Sequence, residues 1–323
     1  MKRRDFLKQS ATAAAMLSCF PATLSAIERE SSSGQIERRA LGKTGEKLSI
    51  VGFGGFMLNR ATAEQASEWI RLAFDAGVNH FDIAPEYGTS EELMGPALEP
   101  FRGKVFLSCK TAKRRQAEAA EELDRSLKRL RTDHFDLYQF HHVTRLEEVE
   151  TIFGDDGAIK VFEQAKKDGK VRFLGFSAHS VEAALAMMDR FRFDSIMFPV
   201  NYATWHAGNF GPQVLAKAQE QKMGILALKA MAKQPWPKDA DRLAHPICWY
   251  QPMTDPDEAM MGLRFTLSHP VTTALTPASS VCLRLALQLA PKFTPLKPEE
   301  VEAMKQKGLA TSPLFRYQAK GVV

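Results

Sequence analysis

Residues 48–56 read "LSIVGFGGF". The run is apolar and β-favouring, and it closes on the glycine pair Gly54 and Gly55. A doubly wound dinucleotide-binding sheet would need a third glycine here, in a G-x-G-x-x-G turn that opens directly into a helix. That glycine is missing from "VGFGGF" and no helix starts at once, so an open sheet is the weaker reading. Seven further runs of the same kind follow: "HFDIA" (80–84), "VFLSCK" (105–110), "FDLYQFHH" (135–142), "RFLGFSA" (172–178), "SIMFPVNY" (195–202), "GILALKAM" (224–231) and "TTALTPA" (272–278). Most are separated by amphipathic helical patterns, which implies parallel strands with crossover helices. Eight such units in roughly 250 residues predict an α/β fold, the closed (β/α)8 TIM barrel.

The helices carry their own signals. Thr62 and Gln65 form a capping box, and Trp69, Ile70, Ala73 and Phe74 then recur at helical spacing until Gly77. In "AEAAEELDRSLKRLRTD" (117–133), Leu123, Leu127 and Leu130 share one face. Ser180 is placed to cap the helix that contains Leu185 and Met188. Ahead of the first strand, "IERRALGKTGEKLS" (36–49) reads as a hairpin that turns at Gly42 to Gly45 and covers the bottom of the barrel. No internal repeat and no second domain is visible, so residues 36–323 are read as one barrel domain.

Composition narrows the functions. The chain has 323 residues, 45% hydrophobic and 25% charged, as an ordinary globular protein does. Part of the net charge of +5 sits at the start, where Lys2, Arg3, Arg4 and Lys8 face only Asp5. The remainder is close to balance, so neither nucleic acid nor an acidic membrane is expected as a partner. Cys19, Cys109, Cys248 and Cys282 share no short spacing and signal neither zinc nor a disulfide framework. No apolar run reaches the roughly 18 residues of a membrane-spanning helix.

Residues 1–26, "MKRRDFLKQSATAAAMLSCFPATLSA", have a basic start, a short Ala-rich apolar run and a small residue at Ala26. Those are the parts of an export signal. Arg3-Arg4 followed by "DFLK" resembles the twin-arginine motif, which implies the twin-arginine machinery as a partner and a periplasmic destination. Lipid anchoring through Cys19 is the weaker alternative, because Met16 is a poor match three places before it. Residues 27–35, "IERESSSGQ", read as a polar linker.

In such a barrel the active site lies where strands end and βα loops begin. That rim carries Asp82 after the second run, Lys110 after the third and His141 after the fourth, with Tyr87 in the second loop. A phenol, with an ordinary pKa of about 10, is a weak acid unless its anion is stabilised. A neighbouring lysine is expected to favour the phenolate and lower that pKa. An aspartate beside it keeps the lysine charged and in place. A histidine orients a carbonyl or helps pass the proton. Since side chains alternate across a strand, only one of His141 and His142 is expected to face the mouth, and no metal pair follows.

These residues resemble the aldo-keto reductase family. The resemblance rests on "FDIAPEYG" (81–88), on "FLSCK" ending in Lys110, and on "DLYQFHH", where His141 takes the family's histidine position. "RRALGKTGEKLSIVGFGG" (38–55) and "KVRFLGFSAHS" (170–180) match the family's hairpin and fifth strand, and the likeness covers residues 36 to 290. It implies reduction of aldehyde or ketone carbonyls, or the reverse oxidation, with NADPH or less often NADH. Tyr87 would give its proton to the carbonyl oxygen while the nicotinamide delivers hydride to the carbon. Lys110 and Asp82 would tune Tyr87, and His141 would orient the substrate. The cofactor is expected against Gly54, Gly55, Ser177, Asn201, Lys229, Ser279 and Arg284. Ser279, Ser280 and Arg284 open a helix whose free N–H groups suit a phosphate, and Arg284 could clamp a 2′-phosphate.

The chain departs from the family pattern at two nicotinamide contacts. Ala178 replaces an asparagine and Met197 a glutamine, with Asn201 or His179 as candidates to compensate. Some exported relatives append a cysteine-rich tail, whereas this chain ends "LFRYQAKGVV", so no iron–sulfur cluster is expected. A second function stays open: a nucleotide-binding, redox-sensing or partner-binding subunit without catalysis. A barrel hydrolase or isomerase would explain the acid at the strand end but not the whole set. Substrate choice would rest on the loops 141–157 and 232–256, the latter with Trp236, Trp249 and Tyr250 as aromatic walls.

Overall fold

The computed structural model describes residues 34–318; the proposed export signal and most of the linker lie outside the described residues. The first elements are β1 (Arg38–Ala40) and β2 (Lys47–Ser49), paired antiparallel with Arg39 opposite Leu48. Eight parallel strands then close into a barrel. They are β3 (Val51–Gly54), β4 (His80–Asp82), β5 (Phe106–Thr111), β6 (Phe135–Val143), β7 (Val171–Ala178), β8 (Ser195–Pro199), β9 (Gly224–Leu228) and, after a second hairpin of β10 (Ala232–Pro235) and β11 (Tyr250–Pro252), β12 (Thr273–Leu275). Strand β12 completes the ring by pairing with both β9 and β3. This is the barrel that the strand rhythm predicts.

The helices surround it: α1 (Ala63–Asp75), α2 (Ser90–Leu98), α3 (Gln116–Arg129), α4 (Leu146–Phe153), α5 (Ile159–Lys167), α6 (Val181–Arg190), α7 (Tyr202–His206), α8 (Pro212–Glu220), α9 (Pro256–Leu267), α10 (Ser280–Leu289) and α11 (Pro298–Ala310). Their starts follow local chemistry. Thr62 Oγ1 accepts from the Gln65 N–H while Gln65 Oε1 accepts from the Thr62 N–H, which closes the capping box on α1. Ser180 caps α6 through the Ala183 N–H. Such caps each contribute about 1 kcal/mol by satisfying donors that a helix leaves open.

Leu41 and Leu48 of the first hairpin are fully buried against Leu137, Met197, Leu226 and Leu275. An apolar plug therefore closes the N-terminal end, and polar side chains concentrate at the other. Strand β6 differs from its sequence reading. Its register on β7 slips between Phe140 and Val143, and His142 takes a φ of +54°. The alternation expected of His141 and His142 fails at this bulge, because an inserted residue re-aims its neighbours. Both imidazoles face the same cavity.

Candidate active site

The C-terminal ends of the barrel strands enclose a cavity of about 430 Å³, within the ordinary range for small-molecule sites. Asp82 closes β4, Lys110 lies one residue before the end of β5, and His141 lies in the bulged end of β6. Tyr87 joins them from the loop after β4, so the four side chains that the sequence singles out line one space.

Lys110 is fully buried and Asp82 is 2% exposed. The Lys110 ammonium donates to Asp82 Oδ2 and, at 3.0 Å, to the Ile83 carbonyl oxygen. Removing two charges from water costs several kcal/mol each, and the cost is offset only by their mutual attraction and further hydrogen bonds. The pair is thus held for its position rather than for stability. Burial raises the Asp82 carboxyl above its ordinary range, against the pull of Lys110. Lys110 is itself raised: burial opposes its charge, but Asp82 outweighs it.

Tyr87 Oη lies 3.5 Å from Lys110 Nζ, and Lys110 also lies 5.2 Å from the ring centroid. Here the expectation of a lowered phenol pKa is reversed. Burial pushes Tyr87 up to about 12, Lys110 pulls the other way, and Asp82 cancels part of that pull. The ammonium is spent on Asp82 and Ile83, and the phenol sits at the edge of its reach. Tyr87 is therefore a protonated phenol throughout the physiological range.

The His141 ring stands edge-on to Tyr87 at 5.6 Å, and its Nδ1 bonds the carboxylate of Glu86. Arg114 Nη2 donates to the His141 carbonyl oxygen at 2.6 Å and to Glu148 Oε1 at 2.9 Å, which fixes the bulge from below. Burial pushes the His141 imidazole down to about 4 although Glu86 opposes it. The role of Glu86 is not readable from the sequence, where it is one loop acid among several.

The residues expected to hold the cofactor divide. Gly54, Gly55, Ser177 and Lys229 line the cavity. A Cβ on Gly54 would lie 2.4 Å from the Thr276 carbonyl oxygen, and one on Gly55 2.4 Å from that of Asp82, so close strand approach alone requires both glycines. Ser177 Oγ accepts from the His142 N–H at 2.7 Å, which leaves its own O–H to donate. Lys229, at φ +70°, holds its ammonium 4.9 Å from the centroids of both Trp249 and Tyr250. Burial pushes that ammonium down to about 8, and among the described residues no carboxylate pairs with it. His179, also in the wall, has a buried Nδ1 without a partner.

Three residues lie elsewhere. Asn201 caps α7 through Oδ1, and its Nδ2 donates to the carbonyls of Lys229 at 3.2 Å and Ala232 at 2.7 Å. It shapes the Lys229 backbone rather than the cavity surface. Ser279 caps α10 and bonds His245 Nδ1 at 2.9 Å. Arg284, on the outer face of α10, pairs with Glu68 of α1. Its guanidinium is thus engaged away from the cavity. Met197 lines the cavity as a buried apolar side chain and Ala178 is buried outside it.

Residues that the sequence reading did not assign complete the walls: Phe56, His142, Cys248, Thr276 and Phe315. Trp249 and Tyr250 stand among them as expected, whereas Trp236 instead donates to the Cys248 carbonyl at 2.7 Å and braces the covering loop. Among the described residues no cluster of three or more His, Cys, Asp or Glu side chains is arranged to hold a metal ion, and no helix is long and apolar enough to cross a membrane. A nicotinamide nucleotide fits this donor set in part. Lys229 offers a cation without a carboxylate, and Ser177 and His179 offer polar groups.

The sequence profile of the Aldo/keto reductase family matches residues 50–247. The aldo-keto reductase YhdN of Bacillus subtilis is 35% identical over 176 residues, which are 49% of this chain and 50% of that protein. The L-galactose dehydrogenase of Arabidopsis thaliana is 29% identical over 171 residues, 48% of this chain and 53% of that one. The chain spans about half the length of these relatives. In fold it is similar to the holo form of aldo-keto reductase AKR11C1 from Bacillus halodurans, with a TM-score of 0.69 at 22% identity, over 88% of this chain and 99% of that one.

Proposed function

The chain belongs to the aldo/keto reductase family, and from that premise we propose that it is a nicotinamide-nucleotide-dependent carbonyl reductase in which Tyr87 is the general acid. The observation that carries this reading is the triplet at the mouth: a protonated phenol 3.5 Å from an ammonium that is itself fixed by a buried carboxylate. When bound, the reduced nucleotide supplies the hydride. Lys229, Ser177 and His179 would hold it, and NADPH is favoured over NADH only to the extent that an additional phosphate finds a cation.

The chain's own residues handle the proton. Tyr87 holds it at Oη and gives it to the carbonyl oxygen as negative charge develops there. Lys110 then stabilises the phenolate left behind, an electrostatic effect strengthened by the scarcity of water in a buried site. Asp82 keeps Lys110 in place. With the phenol's pKa near 12, the acid is always loaded for reduction, whereas alcohol oxidation would first have to deprotonate it.

The test is an assay of NADPH and NADH oxidation with a panel of aldehydes, quinones and sugars, for wild type and Tyr87→Phe. Loss of turnover in the variant supports the assigned acid; equal turnover overturns it. The buried apolar Met197 favours a second reading, a nucleotide-binding subunit without turnover, which would appear as affinity for nucleotide with no oxidation of it. For residues 1–26 we propose export by the twin-arginine route after folding, with nucleotide already bound. Arg3→Lys/Arg4→Lys should keep the protein in the cytoplasm. Exported protein that carries no nucleotide and has no affinity for it would refute the loading step.

A further inference from the structure

We propose that the barrel interior beneath Lys110 holds ordered water, and that Gln139 is the positioning residue that couples this water to the free oxygen of Asp82. The interior of such a barrel is ordinarily filled by branched apolar side chains. Here Leu137, Met197, Leu226 and Leu275 share it with His80, Asp82, Gln139, Ser195 and Thr273, all of them buried. Six polar atoms of the latter five have no hydrogen-bond partner among the described residues: His80 Nδ1, Asp82 Oδ1, Gln139 Oε1 and Nε2, Ser195 Oγ and Thr273 Oγ1. Buried polar groups left unpaired are costly, and an internal water that meets two to four of them at once removes that cost.

Strand register brings these atoms together. Lys110 pairs with Gln139, Gln139 with Gly175 and Gly175 with Ser195, so the four form one level of the barrel. A Cβ on Gly175 would lie 2.6 Å from Ser195 Oγ, so the space beside that glycine belongs to the hydroxyl. A Cβ on Gly52 would lie 2.9 Å from His80 Nδ1 and 3.1 Å from Thr273 Oγ1, so both atoms converge on one point. A water there suits either tautomer of His80, whose Nε2 is bonded to Ser108 Oγ at 2.6 Å. Burial raises the Asp82 carboxyl, while Lys110 and, more weakly, the Gln139 amide favour its charged form. That amide is near the carboxylate without a direct bond to it, and a water between them would hold Oδ1 as Lys110 holds Oδ2. Leu41 and Leu48 close the floor and the Lys110–Asp82 pair the roof, so such water exchanges slowly with bulk. With both oxygens held, Asp82 stays ionised and keeps the Lys110 ammonium beside Tyr87. The titratable groups that face Asp82 are Lys110, Cys109 and Tyr87, with His80 on its own strand, and Gly54 opposite it on β3 adds none.

The first test needs no turnover. On the full-length protein, magnetic relaxation dispersion of water 17O counts slowly exchanging internal waters, and a high-resolution crystal structure places them. Wild type should show water within hydrogen-bond distance of both Asp82 Oδ1 and Gln139. A dry interior, or direct bonds among these side chains, overturns the proposal. Gln139→Met removes the amide at nearly the same volume and should lose that water. A 13C-carboxyl titration of Asp82, assigned with Asp82→Asn, should then move upward; an unmoved titration refutes the coupling. Should Gln139→Met not fold, Ser195→Ala carries the count, where fewer slow waters support the site and an unchanged number refutes it. Only the kinetic arm rests on the reductase reading. In Gln139→Met, kcat should fall about 10-fold more at pH 5 than at pH 8, with KM for NADPH unchanged. An equal loss at every pH marks a merely structural residue and refutes the positioning role. If no carbonyl substrate turns over in wild type, the reductase reading fails separately, and the water count and the Asp82 titration still decide.

Discussion

The two walls of the cavity are built on different plans. On one side Lys110 is bonded to Asp82 and Ile83, His141 to Glu86, and Arg114 to Glu148. On the other, the Lys229 ammonium lies over the rings of Trp249 and Tyr250 with no carboxylate partner among the described residues, and the buried Nδ1 of His179 has no partner. Buried polar groups in folded proteins are nearly always satisfied. On the first wall the two cations and the His141 imidazole are fixed by protein partners, with Asp82 Oδ1 the atom left buried without one among these side chains, and such prior fixing is what a preorganised site requires. The second leaves polar groups open to the cavity, where the proposed nucleotide would engage them. Substitutions on the first wall should therefore damage chemistry and stability, and those on the second should damage binding.

The sharpest break in that contrast would come from Tyr87→Phe. Steady-state assays should show kcat reduced about 10²- to 10⁴-fold, while a fluorescence titration gives unchanged nucleotide affinity. Lys110→Met should cost about 3–5 kcal/mol in denaturant unfolding, because it strands the buried Asp82 charge, and Asp82→Leu added to it should restore most of the loss. Across the cavity, Lys229→Met should weaken NADPH binding about 10- to 100-fold without changing stability in the same measure. The wild-type affinity should fall as pH rises through about 8, since the ammonium is the binding form and is lost above that value.

Smaller effects test the surroundings of the walls. His80 is fully buried, and burial first, Lys110 second, depresses its folded pKa to about 3. Only the unfolded chain takes up this proton between about 6.5 and 3, so stability is retained above that window and declines as pH falls through it. His80 alone should contribute up to about 1.4 kcal/mol per pH unit, and thermal melts of His80→Gln should show a shallower acid slope. Arg284→Ala should leave the NADPH-to-NADH preference where it was, because that guanidinium is held by Glu68.

The same division governs what could be read from the sequence. The barrel follows from local periodicity, and three members of the tetrad end successive strands, so their convergence needs only the fold. The second wall depends on geometry that letters do not carry. Ser279 and Arg284 are five residues apart on one helix, roughly 140° around its axis, so a capping serine turned inward sends the arginine outward to Glu68. Asn201 reads as a polar contact, but short amide side chains compete for backbone groups, and it caps α7 instead. His142 was masked by a bulge that breaks strict alternation. Glu86 stands inside the most informative stretch of the chain, yet its partner lies 55 residues away.

The seam of the barrel has a consequence for synthesis. Val51 of β3 pairs with Ala274 of β12, more than 220 residues later in the chain. At roughly 5–20 residues per second of translation, that partner emerges on the order of 10–45 s after β3 does. For that interval β3 has one bare edge, and each strand made after it is bare in its turn until the next arrives. Unpaired edges invite pairing with other chains. The ring has no partial form without two such edges, so the last strand to be made is also the one that ends the nascent chain's exposure to its neighbours.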